Sequence, residues 1–133
     1  MKFLCECGHV IRDQTDYLPY KGWVMRDKLD EAFYDAATQS IADFLNACVQ
    51  GTRDEWLTEQ FGSEYPRESD EAVIYDLMST AEIRYSLHIY QCEACGRLWL
   101  TDRHNPSRML SFVPEDGRRD VLDAGPSESE RHG

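Results

Sequence analysis

Two short clusters hold most of the residues in this chain that are equipped for chemistry. Cys5-Glu6-Cys7-Gly8-His9 stands near the start, and Cys92-Glu93-Ala94-Cys95-Gly96 lies far along the chain. Each sets two thiols within one turn and places a glycine directly after the second. Two such pairs supply the four soft donors of a closed tetrahedral zinc site, and the glycine admits the positive φ that a tight turn around a metal requires. Four thiolates leave the metal no open position, so its expected role is structural, not catalytic.

Other readings of these thiols are weaker. A thioredoxin-like redox pair needs a helix directly after the second cysteine. Here Gly96-Arg97-Leu98-Trp99-Leu100 alternates as a strand instead. Five cysteines leave one over, which a disulfide framework does not explain, and Cys48 falls on an apolar helical stripe as a small buried hydrophobe. His88 precedes Cys92 by four residues and reads as a surface group, with support of the cysteine turn as the alternative. His104 and His132 have no acid or nucleophile in recognisable spacing. No glycine-rich phosphate loop or nucleophile motif occurs elsewhere, so the chain is expected not to be an enzyme.

The elements that must position the thiols follow from periodicity. Residues 2–12 read as two short strands around the first turn, and Trp23-Val24-Met25 as a short strand or a plug over the core. From about Asp27 to Gln50, Leu29, Phe33, Ala37, Ile41, Phe44, Cys48 and Val49 recur at helical steps, and Gly51 suits the position just past the helix end. Thr52-Arg53-Asp54-Glu55 has the form of a capping box and opens a short helix through Phe61. A third helix is predicted from Ser69 or Asp70 to Arg84, with Val73, Ile74, Leu77, Met78 and Ala81 on its apolar face. The pattern then changes to period two over 85–91, 97–101 and 108–113.

With those strands around Cys92 and Cys95, residues 85–113 resemble the C-terminal knuckle and hairpin of a zinc ribbon, and Cys5 and Cys7 supply the other knuckle. The first knuckle departs from the ribbon pattern, with one residue between its cysteines instead of two. The resemblance implies one structural zinc ion held by Cys5, Cys7, Cys92 and Cys95, with His9 as an alternative ligand. The fold class expected is α+β: a small zinc-ribbon-like antiparallel sheet with an inserted three-helix unit. One domain is expected over 1–114, with 2–12 and 85–113 ribbon-like, 27–84 as the insertion and 115–133 as a flexible tail. Closing so long a loop costs little extra entropy, because the cost grows only logarithmically with length.

Charge bounds the function. The net charge of −11 comes from 25 acidic against 14 basic residues. It disfavours a polyanionic partner and favours a basic protein. Residues 52–85 carry nine acids against three arginines, whereas 97–119 carry five arginines against three acids. The start of the chain has no apolar run of a signal peptide and no stretch has membrane-spanning length, so a cytoplasmic location is expected. The function expected is a zinc-stabilised, non-enzymatic interaction module that presents an acidic surface to a basic protein, as a bacterial inhibitor or immunity-type protein would. The alternative is a nucleic-acid-binding or transcription-associated zinc ribbon using the 97–119 hairpin.

Overall fold

Each period-two stretch around the cysteines forms a strand. In the computed structural model, which describes residues 1–123, β1 (Lys2–Leu4) and β2 (Val10–Arg12) make an antiparallel hairpin with Phe3 opposite Ile11. A second sheet contains β3 (Lys21–Met25), β4 (Ser86–Gln91), β5 (Leu98–Thr101) and β6 (Met109–Phe112) in that order. β5 pairs antiparallel with β4 and with β6, setting Tyr90 opposite Trp99 and Trp99 opposite Ser111. The expected α+β class holds: three helices accompany these two small sheets. Trp23 lies within β3 and is partly exposed.

The chain divides into two compact units, one made of Met1–Val24 with the chain from Leu87 onward, the other of Met25–Ser86. The first unit holds both cysteine clusters. Its core joins Cys5, Ile11, Tyr90 and Cys92, with Phe3, Tyr20, Trp99 and Met109 packed against them. Phe3 meets Tyr90 and Trp99 edge to face, with centroids 5.5 and 5.6 Å away, a geometry that aligns ring edge with ring face and adds to simple burial.

One polar network lies half-buried beside this core. The Tyr90 hydroxyl donates to Asp13 at 2.5 Å, and Lys21 pairs with the same carboxylate at 2.8 Å. The Tyr90 hydroxyl also lies within hydrogen-bond distance of His88 Nδ1, at 3.1 Å, and with its one proton given to Asp13 it can meet that nitrogen only as an acceptor. His88 is not a surface group: it is half-buried and edge-on to Trp23, and burial first, then Lys21, lowers its pKa against the opposing pull of Asp13.

Burial opposes the charge on Asp13, but the bonds from Lys21 and Tyr90 outweigh it and hold the carboxyl below its usual 3.8. A depressed folded pKa means that the unfolded chain takes up the proton first as acid is added. The stabilisation is then complete above pH ~4 and is lost as pH falls through the folded value. Asp13→Asn is expected to destabilise the protein at neutral pH by about 1–3 kcal/mol, the cost of charge-assisted bonds left incomplete. In urea titrations the gap between wild type and variant should close below pH ~4.

The second unit is helical. A 3-10 turn, Asp27–Leu29, leads into α1 (Asp30–Gln50), followed by α2 (Arg53–Phe61) and α3 (Asp70–Tyr85). Phe44, Leu57, Val73 and Leu77 form its core, with Ile41, Cys48, Trp56, Phe61, Tyr65 and Ile74 packed around them. Cys48 sits among these apolar neighbours, half-buried. α3 starts as expected, with the Ser69 hydroxyl accepting from the Ala72 N–H at 3.2 Å.

The capping box at Thr52 does not form. Gly51, at φ 75°, and Thr52 instead donate backward to the carbonyls of Cys48 and Ala47, at 3.3 and 2.9 Å. That pair of bonds is a Schellman closure of α1, so the Thr52 backbone finishes one helix, and its side chain makes no cap for the next. No helix among the described residues is long and apolar enough to cross a membrane.

Candidate metal centre

Both cysteine turns are built by the same two backbone bonds. In the first, the Cys5 N–H donates to the His9 carbonyl at 2.9 Å and the Gly8 N–H donates to the Cys5 carbonyl at 3.0 Å. In the second, the Cys92 N–H donates to the Arg97 carbonyl at 2.9 Å and the Gly96 N–H to the Cys92 carbonyl at 2.8 Å. Gly8 and Gly96 take φ 96° and 85°. The first turn thus reproduces the second with one residue fewer, and the shorter cysteine spacing is absorbed without losing either closing bond.

The two turns face one another, and the Sγ atoms of Cys5, Cys7, Cys92 and Cys95 all lie within 4.8 Å of each other. Two of the separations that cross between turns, Cys5 to Cys95 and Cys7 to Cys92, are both 3.6 Å. A disulfide needs roughly 2.05 Å, whereas a tetrahedral centre with metal–sulfur bonds near 2.3 Å places its sulfurs about 3.8 Å apart. The donor set therefore fits a four-coordinate metal ion. His9 is not part of the cluster; its ring is exposed and its carbonyl serves to close the turn.

Burial and charge act unevenly on the four thiols. Cys5 and Cys92 are buried, Cys7 and Cys95 exposed. Burial pushes Cys92 up to about 12 despite the backbone N–H groups of Cys95 and Ala94. Burial also pushes on Cys5, but the Cys7 N–H and then the Trp99 indole overcome it and bring that thiol to about 7. The Trp99 indole nitrogen is buried without a nitrogen or oxygen acceptor, which leaves it free to favour negative charge on the sulfur. Protons crowded onto neighbouring sulfurs are what a divalent cation displaces on binding.

Neighbouring groups brace the two turns. Arg97 pairs with Glu6 at 3.1 Å and donates to the Ser111 hydroxyl at 3.0 Å, linking the first turn to β6. Gln91 is fully buried and entirely committed: its amide donates to the carbonyls of Gly96 and Arg118, at 3.0 and 2.9 Å, and its oxygen accepts from the Val121 N–H at 2.8 Å. Residues 118–121 are thereby laid against the second turn. Of the stretch expected as a tail, 115–123 is described and partly held in this way, while 124–133 fall outside the described residues. Sequence patterning missed Gln91 because a polar residue at a strand end carries no periodic signal.

The contact is close enough to test. A Cβ on Gly96 would sit 2.8 Å from the Arg118 carbonyl oxygen, whereas one on Gly8 would meet nothing within 4 Å. Both positions have positive φ, so alanine at either costs roughly 1–3 kcal/mol in backbone strain. Gly96→Ala is expected to lower the melting temperature further than Gly8→Ala, and removal of residues 117–133 should narrow that difference.

No curated protein and no solved structure matches the chain. The centre and the helical unit both fall within a single family match, and the chain belongs to the family described as a domain of unknown function (DUF8617), whose model matches residues 1–116.

Proposed function

We propose that the protein is a zinc-stapled, non-catalytic interaction module whose acidic helical unit takes a basic protein partner. Zinc is favoured over iron because the ligand pattern is that of two knuckles closing a structural site, with every position filled by a thiolate. The observation that carries the partner assignment is the state of the acids on α2, α3 and the loop between them. Arg53 pairs with Asp70, and Arg67 with Asp54. Among the described residues, Glu55, Glu59, Glu64, Glu71 and Glu82 are exposed and form no ion pair. Tyr75, Met78 and Ile83 are exposed along the same helix, at 65%, 47% and 63%. An acidic surface with apolar side chains offers a basic partner both steering and desolvated contact. Inhibitors and immunity-type proteins that neutralise basic targets use this combination of small size and negative charge.

The nucleic-acid reading of the 97–119 hairpin has less support. Of its five arginines, Arg97 is tied to Glu6, Arg118 lies within 3.6 and 3.7 Å of Asp116 and Asp120, and Arg119 donates to the Ala94 carbonyl. Two remain, too few to neutralise a run of phosphates.

Affinity capture from lysate with quantitative mass spectrometry tests the proposal. Recovery of one stoichiometric basic protein, lost when Glu71 and Glu82 are changed to lysine, supports it. Salt-sensitive retention of nucleic acid without a protein partner overturns it.

A further inference from the structure

The four-stranded sheet has two apolar faces. The register places Ile89, Leu98, Leu100, Leu110 and Phe112 together on the face opposite Tyr90 and Trp99. One end of that face is covered: Leu122 lies against Gly22, and Val121 is bonded to Gln91. The other end, at β6, is open. Leu110 and Phe112 are 37% and 52% exposed.

β6 is also an edge. Among the described residues it pairs with β5 on one side and with no strand on the other. An edge strand that is apolar and unguarded is a template for another strand, and natural proteins usually blunt such edges with charge or proline. Met109–Phe112 contains neither.

The loop leading into β6 carries a sign opposite to the rest of the molecule. Arg103 and Arg108 are exposed and, among the described residues, form no ion pair, while Asp102 is turned onto the His104 N–H. At physiological salt, charges beyond about 8 Å are largely screened, so Arg103 and Arg108 weigh more than the net −11 on what docks beside them.

We infer that the β6 edge is a docking site for an extended peptide segment of alternating acidic and apolar residues. The segment adds as a fifth strand by main-chain bonds, sets its apolar side chains on Leu110 and Phe112, and brings its carboxylates to Arg103 and Arg108. Such strand addition takes affinity from the backbone and specificity from alternate side chains. The site is separate from the acidic helical surface, and its chemistry selects a partner of opposite charge.

Fluorescence anisotropy at physiological salt tests this on the metal-loaded full chain, with a labelled peptide of alternating glutamate and valine as probe. Saturable binding is expected, weakened about tenfold or more by Arg103→Glu with Arg108→Glu and by Phe112→Ser. All three positions are exposed, and unchanged circular dichroism and metal content confirm that the variants fold. A probe with methylated backbone nitrogens should fail to bind the wild-type protein, a result that a charge contact alone would not give. Three results overturn the inference: equal binding of a lysine-valine peptide, binding of single-stranded oligothymidine in place of the peptide, or a wild-type dimer in sedimentation that Phe112→Ser converts to monomer. The last would mean that a second copy occupies the edge. None of these outcomes bears on capture through Glu71 and Glu82, so the two surfaces are tested independently.

Discussion

Cys95→Ser is expected to release the metal and abolish cooperative unfolding of the cysteine-bearing unit. Wild-type protein should carry close to one zinc per chain by mass spectrometry of its metals, and the variant almost none. The size of the effect follows from what the thiols hold together. Cys5 and Cys92 are themselves part of the buried core, alongside Ile11 and Tyr90, so a metal bound by them would stand where a larger domain places more side chains. The apparent binding energy of structural zinc, on the order of 10 kcal/mol, exceeds the usual stability of a small domain. Chelation of the wild-type protein should give the same loss of near-ultraviolet ellipticity, reversed by adding zinc. Full metal occupancy in Cys95→Ser would show that the second turn does not supply a ligand there.

Phe44→Ala is expected to be the most damaging change in the helical unit, at about 3–5 kcal/mol. Phe44 is fully buried, packs at 5.6 Å against Trp56, and has the Arg53 guanidinium 5.5 Å from its ring. Its truncation removes apolar area and leaves a cavity walled by helices that cannot collapse onto one another without losing their own register. The core around Phe44 shares no residue with the core around Cys5. The variant should therefore unfold at lower denaturant concentration while still carrying close to one zinc. Loss of metal from Phe44→Ala would show that the two cores are energetically one.

The parts of the fold written in periodicity were legible. The helical stripe through Phe44 and the alternation around Cys92 each report which face is buried, and spacing alone brought four thiols into one proposal. Local chemistry with two valid outcomes was not. Thr52 has the side chain for a cap, but its backbone N–H serves α1 behind a left-handed Gly51, and sequence cannot say which helix end claims it. Buried polar residues were equally opaque. Asp13 and Gln91 look like surface groups until the chain brings their partners, 77 and 27 positions away in the pairs Asp13–Tyr90 and Gln91–Arg118, into reach.

The placement of the helical unit between the two cysteine turns has a consequence for the order in which the molecule is made. The ribosome delivers Cys5 and Cys7 first, then the whole of Met25–Ser86, and only afterwards Cys92 and Cys95. At 5–20 residues per second, a few seconds to roughly seventeen seconds pass in which two thiols have no partners. The helices, with their own core, are complete within that interval. Nascent chains should accordingly resist proteolysis over the helical segment before they acquire metal, and a chelator present during translation should stop maturation at that stage.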